Sequence, residues 1–153
     1  MPRCWLMKSE PGTYSIADLE RDGRTPWEGV RNYLARNRMR EMRTGDLVVF
    51  YHSSATPPGA AGLARVVREA YPDPTALDPE SPYFDPDSRT EAPRWWRVDV
   101  EFVERFPDLV PLADLKAEPG LAAMEVTRRS RASVQPVRPE ELEIVRRLAT
   151  ERA

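Results

Sequence analysis

The 153-residue chain is predicted to fold as one α+β domain, a small, strongly bent β-sheet or barrel flanked by helices. Three observations lead there. Short apolar or alternating runs with strand character recur near residues 5–8, 47–52, 62–69 and 95–106. Helix signals stand between and after them, and the order is mixed, β-α-α-β-β-β-α-β-α, with no internal repeat. A hydrophobic fraction of 41% against 31% charged residues is that of a globular chain with room for one core.

Each element has its own reason. Trp5-Leu-Met-Lys8 is an apolar run stopped by the turn Ser9-Glu10-Pro11-Gly12. Ser15 caps a short helix whose start is favoured by Asp18, with Leu19 as its apolar contact and Gly23 as its end. Thr25 to Asn32 has neither helical nor strand period and reads as a structured loop. A helix follows over about 32–42, with Leu34, Met39 and Met42 inward among Arg31, Arg36, Arg38, Arg40 and Arg43. Thr44-Gly-Asp46 turns into Leu47–His52, whose unbroken apolar, β-branched and aromatic content predicts a strand buried on both faces. Residues 53–61 read as a flexible loop and 62–69 as the next strand. Six prolines between Tyr71 and Pro93 exclude a helix or a central strand there. Its six acids face Arg89 alone, so the stretch is expected to be a solvated surface excursion. Strict alternation then resumes, with Trp96, Val98, Val100 and Phe102 on one face and Arg97, Asp99 and Glu101 on the other. Short helical turns near Pro111 and Pro119 and an extended segment over 132–137 precede the clearest helix, Pro139–Leu148. Proline in its first turn, acids after it and Arg146 and Arg147 late all suit the dipole, and Leu142, Val145, Leu148 and Ala149 form its stripe.

Composition narrows the function classes. One Cys cannot close an internal disulfide, so the chain fits a reducing, cytoplasmic setting, and one His with one Cys excludes a Cys/His zinc site. No apolar run approaches a membrane span, and Met1-Pro-Arg-Cys-Trp5 lacks the apolar stretch of a signal peptide. No metal, cofactor or membrane partner is expected. The 23 basic residues against 25 acids exclude a sequence-blind nucleic-acid coat. The balance is uneven along the chain, however. Residues 24–43 hold six Arg against Glu28 and Glu41, a local +4, whereas 69–91 hold seven acids against Arg89, a local −6.

Catalytic groups are scarce. His52, the only His, ends a buried strand where a structural role is the simpler reading, and Cys4 reads as packing. No glycine-rich phosphate loop is present. The informative set mixes flat aromatics with donors and acceptors: Trp5, Lys8, Ser9, Glu10, Trp27, Arg31, Asn32, Tyr33, His52 and Ser53. A pocket for a planar heterocycle needs that mixture, indole faces for the ring and polar groups for its edge. Two tryptophans in a core remain the alternative at this stage.

Several long motifs resemble the EVE domain family, which includes many small bacterial proteins. They are Trp5-Leu-Met-Lys-Ser-Glu-Pro11, Tyr14-Ser-Ile-Ala-Asp-Leu19, Pro26-Trp-Glu-Gly-Val-Arg-Asn-Tyr33, Ala35-Arg-Asn37, Gly45-Asp-Leu47 and Phe50-Tyr-His-Ser53. The match continues through Tyr83-Phe-Asp-Pro86, Trp96–Val100, Pro111–Leu115 and Ser133–Val137, nearly the whole chain. The resemblance implies a PUA-like fold, a small bent β-barrel flanked by helices, akin to YTH readers of N6-methyladenosine. It also implies a non-catalytic domain that takes a modified base of DNA or RNA into an aromatic and polar pocket. Carried over motif by motif, the pocket set is Trp5, Lys8, Ser9, Trp27, Val30, Arg31, Asn32, His52 and Ser53. Trp27, with Trp5, would stack on the base, Asn32 and Ser9 would read its edge, and Lys8 and Arg31 would hold a phosphate or else pair with Glu10 or Glu28. Arg36, Arg38 and Arg40 would track further phosphates. Relatives often carry Leu where this chain has Ala132, which would widen the pocket. Two other readings stay open: a PUA-like hydrolase using Lys8 with Glu10 or Glu28, and a sensor of free nucleosides.

Overall fold

A computed structural model describes residues 2–128 and 130–152. The elements run β1 (Cys4–Ser9), α1 (Ile16–Asp22), β2 (Arg24–Trp27), α2 (Tyr33–Glu41), β3 (Leu47–His52), β4 (Gly59–Pro72), β5 (Trp96–Pro111), α3 (Leu112–Ala117), β6 (Val134–Val137) and α4 (Pro139–Glu151), with 3₁₀ turns at Pro74–Leu77, Pro119–Leu121 and Glu125–Thr127. The six strands form one sheet in the order β2-β5-β4-β3-β1-β6. The α+β class is as predicted. The barrel is not closed: β2 and β6 are the two edges, each only four residues long and each carrying a proline, Pro26 and Pro136. Proline is tolerated at an edge because its missing N–H need not serve a ladder there.

Pairing follows the apolar runs. β1 lies parallel to β3, with Cys4 opposite Leu47 and Ser9 opposite His52, and antiparallel to β6, with Leu6 opposite Gln135. The β4–β5 pair shifts register at four places, and such bulges increase the local twist and bend of the sheet. Because side chains alternate along each strand, the sheet fills two cores. Trp5, Met7, Val48, Phe50, Val66, Val98 and Val100 pack with Leu19 of α1 and Ala35 and Met39 of α2. Cys4, Leu6, Val49, Tyr51, Leu63, Phe106 and Val110 pack under Leu115 of α3 and Leu142, Val145 and Ala149 of α4. The first helix carries the predicted cap: Ser15 Oγ accepts from Asp18 N–H while Asp18 accepts from Ser15 N–H.

Four expectations change. The first part of the Thr25–Asn32 loop belongs instead to the edge strand β2 (Arg24–Trp27), with Pro26 opposite Asp99. The sequence has no alternation there because an edge strand has little to bury. β4 begins at Gly59 inside the expected 53–61 loop, since Gly59 lies against the Val110 carbonyl, where a side chain would collide. Leu34 is 50% exposed, and Ala35, Met39 and Met42 are the buried positions around α2. The 71–93 excursion is not simply solvated. Asp73 is buried, and its carboxylate accepts from the Gly29 and Thr75 N–H groups, while Asp85 accepts from Trp95 Nε1 at 2.6 Å. These two acids serve as internal acceptors, a role that composition does not reveal.

Candidate nucleic-acid-binding cleft

A cleft of about 590 Å³ opens where four segments meet. The end of β1 supplies Lys8 and Ser9, followed by Glu10. The end of β2 supplies Trp27, followed by Glu28, Gly29, Val30 and Arg31. The excursion contributes Tyr83, and Ser133 comes from just before β6. Trp27 is half-buried and packs edge-to-face on Phe50, with ring centres 5.4 Å apart. Its indole is therefore held by the core while it lines the opening.

The opposite wall is fixed by a latch. Arg31 donates from Nε and Nη2 to the Tyr83 carbonyl at 3.1 and 2.6 Å, and from Nη1 to Asp73 Oδ2 at 3.2 Å. Asp73 Oδ2 also accepts from Gly29 N–H at 3.0 Å, so one carboxylate ties the Trp27–Arg31 turn to the excursion. Burial alone would raise the Asp73 pKa. The Thr75 and Gly29 hydrogen bonds and the Arg31 charge outweigh it and hold the group below 3.8. Gly29 sits at φ +80°, and a Cβ there would fall 2.6 Å from the Tyr83 ring. Only glycine combines that backbone with that close approach.

The polar edge of the cleft is small and nearly neutral. Lys8 donates to the Ser130 carbonyl at 3.3 Å, and burial lowers its pKa against the opposing attraction of Glu125. Ser9 donates its hydroxyl to the Tyr14 carbonyl at 2.6 Å, leaving its oxygen free to accept. Glu10 forms no ion pair among the described residues, and Glu28 is held by Arg97 at 2.7 Å. Arg31 is neutralised by Asp73. No group of three or more His, Cys, Asp or Glu that could hold a metal is present among the described residues.

Of the predicted set, Lys8, Ser9, Trp27, Val30 and Arg31 come together here, and the other four lie elsewhere. Trp5 is 1% exposed in the core, its Nε1 donating to Asp46 at 3.0 Å, so it has no face to offer. Asn32 caps α2, its Oδ1 accepting from Ala35 N–H, which is where an asparagine before a helix is most useful. His52 Nε2 accepts from Ile16 N–H, the first of α1, and burial, then Arg105, lowers its pKa. Ser53 donates its N–H to the Ser9 carbonyl and does not line the cleft. The expected partners of the cations also change, since Arg31 pairs with Asp73 and Glu28 with Arg97.

Among the helix arginines, Arg38 is turned inward. It grips Glu125 with two hydrogen bonds and donates to the Val134 carbonyl. Arg36 lies over Tyr33 and donates to the Arg94 carbonyl, and Arg40 lies over Trp96; neither has a carboxylate partner among the described residues. Tyr83 was not among the predicted site residues. Its signal was the tyrosine of the 83–86 motif, set in a stretch whose prolines and acids suggested only solvent.

The EVE domain model matches residues 3–148. Human thymocyte nuclear protein 1 is 42% identical over 160 residues, 92% of this chain and 71% of that protein. A crystal structure of a Pseudomonas putida protein is 50% identical, with a TM-score of 0.93 over 95% of this chain and 99% of that one. The crystal structure of human THYN1 in complex with 5-methylcytosine-containing DNA is 41% identical, with a TM-score of 0.90 over 96% and 97% of the two chains. A YTH domain from Zygosaccharomyces rouxii shares the fold alone, at 14% identity and a TM-score of 0.53 over 97% of this chain and 86% of that one.

Proposed function

The chain belongs to the EVE domain family, and from that premise we propose that it is a non-catalytic reader that takes a modified base, of the 5-methylcytosine kind, out of DNA and into the Trp27 cleft. The observation that carries the reading is the pairing of a core-held indole with a cleft in which Arg31 and Glu28 are matched by Asp73 and Arg97 and the remaining charges, Lys8 and Glu10, are one of each sign. A site for phosphate alone would carry an excess of cations, whereas a neutral planar ring needs a stacking face and a few edge groups. Stacking on Trp27 contributes about 1–3 kcal/mol, and extruding a base costs a few kcal/mol. Edge contacts must supply the difference. Lys8 offers donors, and Ser9 Oγ and the Glu10 carboxylate offer acceptors, the type of group that accepts from a cytosine amino group. Arg36 and Arg40 add positive potential outside the cleft, while Arg38 stays structural. The complex of the human relative with methylated DNA supports DNA as the polymer. The single buried thiol, Cys4, suits a reducing, cytoplasmic setting.

The test is a panel of oligonucleotides, DNA and RNA, with and without the modification. The wild-type chain should prefer modified DNA, and Trp27→Ala should abolish the preference. Trp5→Phe should keep it, because that indole is buried behind the sheet. Equal affinity for the free nucleoside would replace the reader by a sensor, and release of a cleaved product would replace it by a hydrolase.

A further inference from the structure

A second cleft, of about 500 Å³, lies at the other end of β1, lined by Arg3, Cys4, Met124, Arg128, Pro136 and Arg138 among others. β1 runs between the two clefts, with Lys8 and Ser9 at the first and Cys4 at the second, a rise of about 16 Å at strand spacing. Between Glu125 and β6, residues 126–128 and 130–133 pass beside that strand: Lys8 Nζ rests on the Ser130 carbonyl, Lys8 N–H donates to the Ser133 carbonyl, and Ser133 lines the first cleft. This segment carries Arg128 and Arg131, both exposed and neither with a side-chain hydrogen bond or ion pair among the described residues. Carboxylates near it are already taken. Glu125 accepts two hydrogen bonds from Arg38 and one from Ser130, and Glu141 is 2% exposed and caps α4 through Arg138 N–H. Arg3 pairs with Glu41, and Arg138 with Glu140 and Glu141, so these two cations are partly neutralised.

We infer that Arg128 and Arg131 form a phosphate track: the DNA strand whose base enters the Trp27 cleft runs over these two side chains toward the second cleft, with phosphates on Arg131 and Arg128. The inference rests on the reading of the first cleft. It moves the close backbone contacts away from the arginine-rich helix α2, where sequence pointed, to a segment beside Lys8. Exposed guanidiniums without carboxylates can exchange water for phosphate with no ion pair to break. At an axial rise of about 3.4 Å per nucleotide, the length of β1 spans several nucleotides, enough for both arginines to meet one strand.

The experiment measures binding of methylated and unmethylated duplex oligonucleotides between 50 and 150 mM salt. It compares the wild-type chain, Arg128→Ala/Arg131→Ala and, as a control in which an exposed cation outside the proposed track is removed, Arg24→Ala on β2. Removing two phosphate contacts should make the logarithmic salt slope shallower by about 1.8, so the wild type loses about sevenfold more affinity than the double variant across that range. The preference for the modified base should be unchanged, and urea midpoints should match, as both arginines are unpaired. A slope equal to wild type in the double variant, or an equal loss in Arg24→Ala, overturns the track. Absence of any preference for the modified base in the wild type overturns the cleft reading instead, and the slope comparison still decides the track.

Discussion

Replacing Asp73 by alanine tests the latch that sets the cleft walls. The Asp73 side chain is 0% exposed and that of Arg31 is 23% exposed. Removing the carboxylate strips acceptors from Arg31 Nη1, Gly29 N–H, Thr75 N–H and Thr75 Oγ1. Breaking a buried pair from one side costs about 3–5 kcal/mol. Arg31 keeps the Tyr83 carbonyl and some solvent, which places this case at the lower end, about 3 kcal/mol. For a domain of this size that is a fall in Tm of about 6–12 °C. Asp73→Asn keeps one acceptor but turns an amide NH₂ toward a donor, so it should recover only part, about 1 kcal/mol. Urea unfolding at pH 7 reads both variants. The pH dependence adds a check. The Asp73 pKa is depressed in the folded chain, so its contribution is complete above 3.8 and is lost as pH falls below that value through the folded pKa. The gap between wild type and Asp73→Ala should therefore narrow only in acid. A variant within about 0.5 kcal/mol of wild type at pH 7 would refute the latch as a structural element, since surface substitutions fall in that range.

Two further outcomes follow from single residues. Gly29→Ala, at φ +80° and 2.6 Å from the Tyr83 ring, should lose about 1–3 kcal/mol and weaken base binding as Tyr83 is pushed out; a urea midpoint near wild type would mean the ring yields freely. His52 is the only histidine and accepts a hydrogen bond in its neutral form, with its pKa lowered by burial. Its contribution should be complete above pH 6.5 and decline below it, by up to about 1.4 kcal/mol per pH unit, and His52→Asn should be flat from pH 7 to 5.5. Equal slopes in the two proteins would place the proton elsewhere.

Strands that bury their side chains could be read directly. β1, β3 and the first part of β5 announce themselves through apolar runs or alternation, because two cores demand those residues. β2 could not, since its only partner is β5 and much of its surface faces solvent. The site was legible where one motif supplies several walls, as from Trp27 to Arg31. It was not legible where local chemistry uses the same residue types for another purpose. Asn32 is a helix cap, Trp5 a core indole bonded to Asp46, and Arg38 an internal tie to Glu125. Asp73 shows the converse: it stands in a stretch that reads as a solvated excursion, yet its carboxylate caps the 3₁₀ turn at Pro74–Leu77 and reaches 44 residues back to Gly29.

An open sheet leaves two rows of backbone donors and acceptors facing outward, which a closed barrel would not. Here those rows are brief and interrupted, with Pro26 in the middle of one and Pro136 in the middle of the other. A second chain approaching in extended form meets a gap in the ladder at either side, so sheet growth by strand addition is self-limiting. The fold thereby keeps the freedom of unclosed edges, which lets the turn after β2 and the segment before β6 shape the cleft between them, without becoming a template for aggregation.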